Sequence, residues 1–539
     1  MQMRNVAAIA AAVGGVQAMT MPNHAIATNL ELTPTSNSVV DPSALLLTKS
    51  ATYGRAINGQ GFQDQTLITH DGYQYTTWWR YESGTNTNVQ SSMMIARRTV
   101  DGATVGAWET VDTGTNLVSG LGSTHNGNAH NVISMGISAV DGRIHLSYDH
   151  HNSLLKYRRS AAGVATDNKA AWGPGMFAAQ TSTLPNHNNS VGSITYPAFY
   201  AKPDGTMNFA FRSGGSGNGD MRWATYRADG TFNWPDTIIT GGNATYTDPL
   251  GSSNSRNAYV HGFDYDASGR LHTTWVWREA PNDANHDISY AYSDDGGFTW
   301  FNGAGQQVAD TDNNDPISFS DPGLVFKSLD RTSGLYNQVD QAVSQDGRVH
   351  TLDVHRRPGA EFAYQPGDRW DPLDSAYFHY TRDPATGDWA QHMLPRSTPD
   401  DPDMDLHIGH RGSLGVDADG NIFAVYTARD ESVGNYKYAN GALVVAGATA
   451  ASNFTDWTIL HLIDDVGFEG DPQIDDARLL NDGILSIFVQ EKDPRSDEGE
   501  WSMTGSNLRV IEFQVVIPEP AAATTLLGLW ALGLRRTRR

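Results

Sequence analysis

The chain has 539 residues, a net charge of -23, 54 glycines and no cysteine. The acidic balance excludes nucleic acid as a partner, because phosphate binding needs a basic surface, and the missing cysteine excludes disulfides, thiolate metal ligands and a thiol nucleophile. Hydrophobic residues at 39% allow a substantial core, and 10% aromatics with only 18% charged residues fit short strands joined by turns better than long exposed helices.

In chain order, residues 1–27 read as a signal peptide. Arg4 gives a positive start, Val6 to Val16 an apolar run of small residues, and Ala25-Ile26-Ala27 a cleavage site. From there on, one pattern recurs: a small or acidic residue and Gly, followed by an alternating apolar strand. Its copies begin at Asp71-Gly72, Asp141-Gly142, Asp204-Gly205, Ser268-Gly269, Asp346-Gly347, Asp419-Gly420 and Asp482-Gly483. Asp or Ser with Gly supplies the positive φ of a hairpin turn, and segments such as Arg143 to Tyr148 alternate with period two. Steps of 63 to 78 residues between these glycines hold four short strands and their loops. The pattern predicts an all-β fold, a seven-bladed β-propeller over residues 28–516. Within it, Ser293 to Trp300 fits S-x-D-x-G-x-T-W, the Asp box of BNR-type propellers, a hairpin device that carries no chemistry.

Equivalent strands should end at one height, so residues seven to nine after each turn Gly should share a face. These are Trp79, Arg80 and Tyr81, then Asp149, His150 and His151, then Arg212, Trp277, Arg278, His355, Arg356 and Arg429. In an acidic protein this gathers Arg, His and Trp at one set of strand ends. Arg suits a carboxylate or sulfate and Trp suits stacking on a sugar ring. Arg80, Trp277, Arg278, His355, Arg356 and Arg429, with Asn131, are therefore the expected substrate-binding residues. His145, His272 and His350 recur three residues after a turn Gly, and that fixed offset points to blade building. The sequence leaves open a structural metal ion at His261, His286, His355 or His410.

Pro518-Glu519-Pro520, an apolar stretch from Ala521 to Leu534 and a basic end, Arg535 to Arg539, close the chain. This resembles the bacterial PEP-CTERM sorting signal over residues 517–539. The resemblance implies export, with secretion or attachment at the cell surface, and handling by exosortase-type sorting machinery.

Two segments stand out for chemistry. Gly127 to Ile137, containing Asn128, His130 and Asn131, leads to Asp149-His150-His151-Asn152. Ile194-Thr195-Tyr196-Pro197 leads to Phe211-Arg212-Ser213 and a glycine-rich run to Gly219. With Trp275 to Glu279, Asn285-His286-Asp287 and Asn337-Gln338, the chain from about Tyr53 to Val515 resembles the BNR-repeat propellers that include ulvan lyases of polysaccharide lyase families 24 and 25. The resemblance implies a catalytic set of His130, the His150-His151 pair, Tyr196 and Arg212. Asn152 after the doubled histidine favours His151 as the functional member. Family metal ligands do not carry over, since no Cys is present, and the chemistry requires no cofactor.

The expected reaction is β-elimination on a uronate-containing glycan. Arg212 neutralises the carboxylate, Tyr196 or His130 takes the C5 proton, and Tyr196 protonates the leaving oxygen. Such a Tyr needs a lowered pKa, which nearby Arg and His⁺ favour. Two alternatives remain: a rhamnosidase-like hydrolase using Asp149 and Glu279, or a non-catalytic glycan-binding propeller. The expected partner is an anionic polysaccharide met by a monomer.

Overall fold

The computed structural model describes residues 30–47, 55–63, 65–83, 90–117, 121–122, 125–280, 284–360, 374–429, 441–493 and 503–517. The expected signal peptide and residues 518–539 of the expected tail lie outside them. The described chain is all-β. Its one α-helix is Asp476–Asp482, a single short element among many strands.

Six of the seven predicted turns join antiparallel strands directly. Leu67–His70 pairs with Tyr73–Ser83, Ile133–Ser138 with Arg143–Tyr148, and Ile194–Ala201 with Met207–Ser213. Arg256–Tyr265 pairs with Leu271–Glu279, Asp340–Val343 with Val349–Arg356, and His407–Val416 with Ile422–Arg429. The turn glycines all take positive φ, from 62° at Gly142 to 87° at Gly269, the conformation for which Gly carries no Cβ penalty. The seventh copy departs from the hairpin expectation. Gly483 caps helix Asp476–Asp482 at φ 64°, receiving the helix and releasing the strand Ile484–Glu491. The helix sits here because Asp475 accepts from Arg478 N at its start.

The fourth unit shows the full pattern. Arg256–Tyr265, Leu271–Glu279, Ala284–Ser293 and Thr299–Phe301 run antiparallel in that order. The Asp box closes its outer hairpin. Asp295 Oδ1 accepts from Ser293 Oγ at 2.7 Å and from Thr299 N at 2.8 Å, while Trp300 is buried with its Nε1 donating to Gly297 O at 2.9 Å.

The chain's first described strand belongs with its last. Glu31–Leu46 pairs along its length with Thr504–Val516. The long strand Thr458–Ile474 also serves two neighbours: one part pairs with Gly441–Ala448 and the other with Ile484–Glu491. A cavity of about 460 Å³ is lined by His70, Ile137, Ala201, Phe263, Val343, Val416 and Ile474. Each comes from a strand that precedes one of the seven predicted turns, and together they line this one cavity. The cavity lies at the turn end of these strands. Their opposite ends, together with the ends of the second strands, make the other face.

Candidate active site

That other face holds a compact cluster. Tyr196 lies in a register break between Thr195 and Ala198, with φ 56°. Pro197 follows and cannot donate to the ladder. The bulge re-aims the Tyr196 side chain, whose hydroxyl lies 2.9 Å from His130 Nε2. Phe62 packs on both rings, with centroids 5.5 Å from His130 and 4.7 Å from Tyr196.

The doubled histidine divides. Asp149 and Asn152 both take left-handed φ, 57° and 55°, so the chain turns tightly around the pair. His150 is buried, with Nδ1 2.9 Å from Ser153 Oγ and Nε2 3.2 Å from Ser147 Oγ, and accepts from Lys156 N at 3.2 Å. It serves its own loop and does not join the cluster. His151 does: its ring stacks on His130 at 4.3 Å and 6°. Asn152 N donates to Thr195 Oγ1 at 2.8 Å, tying this loop to the Tyr196 strand. Asn128 reaches both rings, His130 Nδ1 at 3.0 Å and His151 Nδ1 at 2.8 Å.

Arg212, 4% exposed, completes the group. Its guanidinium lies 4.8 Å from the Tyr196 ring centroid, and Nη1 donates to Tyr259 OH at 3.0 Å. The glycine-rich run folds back over it. A Cβ at Gly219 would come 2.9 Å from Arg212 Cγ and Cδ, so only Gly lets the chain pass there. Among the described residues no carboxylate pairs with Arg212, and its buried Nε has no hydrogen-bond partner. Arg278, half-buried, places its guanidinium 5.3 Å from the Tyr259 ring.

These surroundings set the titration of the cluster. Burial, then the nearby His151 and Arg212, hold His130 well below its ordinary value. Burial and Arg212 lower His151. The expectation of a lowered Tyr196 is overturned: burial, then the neighbouring Tyr259, push it up, and the arginines do not compensate. Tyr259 goes the other way. Burial raises it, but Arg212 and Arg278, together with hydrogen bonds to Ser216 and Asn257, bring its hydroxyl below the usual value.

The other expected residues scatter. Trp277 is fully buried, edge-on to Trp275 at 5.9 Å and to Phe319 at 5.6 Å, and offers no ring face to a sugar. His355 is buried on Phe378 at 3.9 Å, with Nε2 2.7 Å from Tyr380 OH. Arg80 donates to Asp41 Oδ2 at 2.6 Å. Asn131 is buried and its carbonyl accepts from Trp79 Nε1 at 2.8 Å. Arg356 is half-buried at the end of its strand, and its main-chain N donates to Ser333 O at 3.0 Å. Arg429 pairs in the ladder with His407, and its side chain lies outside the described residues.

Among the described residues no group of three or more His, Asp or Glu is arranged to hold a metal ion. His261 faces Asp353 at 3.1 Å, His286 lies between Glu279 at 3.1 Å and Asp287 at 3.0 Å, and His410 bonds Asp471. The carboxylates expected of a hydrolase are likewise engaged. Asp149 pairs with Lys156 at 2.5 Å, and Glu279 is buried against Arg256 and His286.

Phe62, Tyr259 and Arg411 belong to this face and were not singled out from sequence, and Asn128, within a segment that stood out, was given no role there. Arg411 donates to Asn337 O and Oδ1, each at 2.7 Å. Phe62, Tyr259 and Arg411 lie before or near the start of first strands, where the turn-based offset does not reach.

Comparison with known proteins gives a consistent picture. A family model described as a BNR repeat-containing family member matches residues 73–397. The long-isoform ulvan lyase of Pseudoalteromonas sp. (strain PLSV) is 24% identical over 352 residues, 58% of this chain and 34% of the relative. The short-isoform ulvan lyase of Alteromonas sp. (strain LOR) is 26% identical over 265 residues, 42% of this chain and 49% of the relative. The chain thus spans about a third of the long isoforms. Among solved structures, polysaccharide lyase Uly1 superposes with a TM-score of 0.61 at 18% identity, covering 91% of this chain and 100% of that one. A PL25 ulvan lyase bound to -[GlcA(1-4)Rha3S]- superposes with a TM-score of 0.55 at 13% identity, covering 85% and 94%.

Proposed function

This chain belongs to the BNR repeat-containing family, and we propose that it is a polysaccharide lyase cleaving a uronate-containing, ulvan-like glycan by β-elimination. The observation that carries the reading is Arg212: a buried guanidinium beside Tyr196 and His130, with no carboxylate partner among the described residues. A buried charge is costly without a counter-ion, and a uronate carboxylate is the anion of matching shape. The ulvan lyases among its relatives support the substrate class.

In this scheme Arg212 neutralises the carboxylate, so that negative charge developing at C5 is stabilised. Tyr196 rests protonated, as its raised pKa requires. Its oxygen takes the C5 proton while its own proton passes to His130 Nε2. The C4–O4 bond then breaks, C4=C5 forms, and the proton returns through the same pair to O4. The products are an unsaturated uronate and a free hydroxyl, and no cofactor enters the balance.

Seven units around one axis, with their turn glycines at matching positions, support a seven-bladed propeller over residues 28–516. Export through the expected signal peptide and sorting tail fits an extracellular polysaccharide.

The test is ultraviolet absorbance during incubation with ulvan and other uronate polysaccharides. A rising signal from unsaturated uronate is expected, lost by roughly 10²–10⁴-fold in Tyr196→Phe with the melt unchanged. A flat trace with tight glycan binding would replace the lyase by a binding protein, and a saturated reducing sugar as sole product would replace it by a hydrolase.

A further inference from the structure

Asn128 stands between the two site histidines and fixes where their protons are. Its Oδ1 lies 3.0 Å from the main-chain N of His130 and 3.0 Å from His130 Nδ1. A main-chain N–H can only donate, so the amide atom facing it is the oxygen, and the orientation of the amide follows. That oxygen has no proton to give. His130 Nδ1 therefore carries one, and Nε2 presents its lone pair to the Tyr196 hydroxyl at 2.9 Å. The other end of the amide, Nδ2, lies 2.8 Å from His151 Nδ1 and can only donate. His151 Nδ1 is therefore bare, and the proton of the neutral ring sits on Nε2.

We infer that Asn128 is a positioning residue that locks His130 and His151 in opposite tautomers, the first as an acceptor for the Tyr196 proton and the second as a donor on the same face. An amide suits this task because it has one accepting and one donating end. The stacked rings, 4.3 Å apart and 6° from parallel, bring both Nδ1 atoms within reach of one side chain. A carboxylate would accept from both rings and an ammonium would donate to both, so neither produces the opposed pair. The use of these tautomers in catalysis rests on the lyase reading. The tautomers themselves do not.

The test labels the histidines of the full chain with ¹⁵N and reads their ring shifts, assigned through His130→Gln and His151→Gln. His130 Nε2 and His151 Nδ1 should both appear as unprotonated ring nitrogens. Asn128→Asp keeps size and shape, preserves the acceptor toward His130 and removes the donor toward His151. It should move the His151 proton to Nδ1 and leave His130 as it was. A protonated His130 Nε2 in the unaltered chain, or a His151 signal that Asn128→Asp does not move, overturns the inference. With a uronate polysaccharide as substrate, Asn128→Ala should lower kcat by about 10²-fold or more with KM nearly unchanged, because a wrong tautomer removes a transition-state interaction. An unchanged kcat overturns the positioning role. If no uronate polysaccharide is cleaved at all, the lyase reading fails while the ring shifts still decide the tautomers.

Discussion

Two sets of histidines stand apart in the fold and make different contacts. His145, His272 and His350 each follow a turn glycine by three residues, and all are buried. Each bonds through Nδ1 to the third strand of its own unit: to Tyr157 OH at 2.7 Å, to Tyr290 OH at 2.9 Å and to His379 Nε2 at 2.9 Å. His130 follows no repeat, and His151, nine residues after Gly142, has no histidine at the matching offset of any other unit. They sit in loops at the far face, and His130 bonds to Tyr196 of the next unit. A histidine that recurs with the fold holds strands of one unit together. One that breaks the pattern, bonds between units and stands near Arg212, which no carboxylate pairs among the described residues, is where the proposed chemistry falls.

The largest expected break in this contrast is in turnover. His130→Gln should lower kcat on a uronate polysaccharide by roughly 10²–10⁴-fold with little change in the melt. His150→Gln, one residue from the site histidine His151, should leave kcat near its original value. Equal losses in both would mean that the loop, and not the His130–Tyr196 pair, limits the rate. Next comes Trp277→Ala, which should cost about 3–5 kcal/mol by opening a cavity among Trp275 and Phe319. A raised KM with unchanged stability would return Trp277 to the sugar-binding surface. Smaller is His145→Gln, which disturbs the bond to the buried Tyr157 hydroxyl. Denaturant melts should show a loss of about 1–3 kcal/mol, with kcat per folded molecule preserved.

The turns were legible because their chemistry is local: Asp or Ser with Gly specifies positive φ wherever it stands, and six of the seven copies form the expected hairpins. Asp482-Gly483 misled because the same left-handed glycine also ends a helix. Counting forward from the turns located Arg212, His151 and Arg278, since residues at the ends of second strands share a height. Height does not determine facing. Trp277 and His355 have the right offset and point into the packing between strands, which a one-dimensional count cannot separate from pointing outward. Tyr259 and Arg411 were missed for a related reason. They lie in the first halves of first strands, reached only by counting backward from a turn through or into a register break. For Tyr196 the nearby arginines are visible in sequence, whereas the burial and the neighbouring Tyr259 that push its pKa up are not.

The finest test of the two histidine sets is pH. Burial depresses both His145 and His350 to about 3 from an ordinary 6.5. Between those values the unfolded chain binds a proton that the folded chain refuses, so each contributes stability that is complete above about pH 6.5 and is lost as pH falls toward 3. Glu469 and Asp264 oppose this. Burial raises them to about 7 and about 6, and their contribution is complete below their unfolded values and lost as pH rises through the folded ones. The stability of the whole chain therefore hides the histidines, and the difference between two chains reveals them. Gln does not titrate, so the stability gap between the unaltered protein and His145→Gln should be widest near pH 7.5 and should narrow by about pH 5, read by urea melts. The same comparison for His151→Gln, at an exposed residue that burial and Arg212 also lower, should narrow less, because solvent reaches its ring. A gap that stays constant for His145 would mean that its ring keeps an ordinary pKa in the fold.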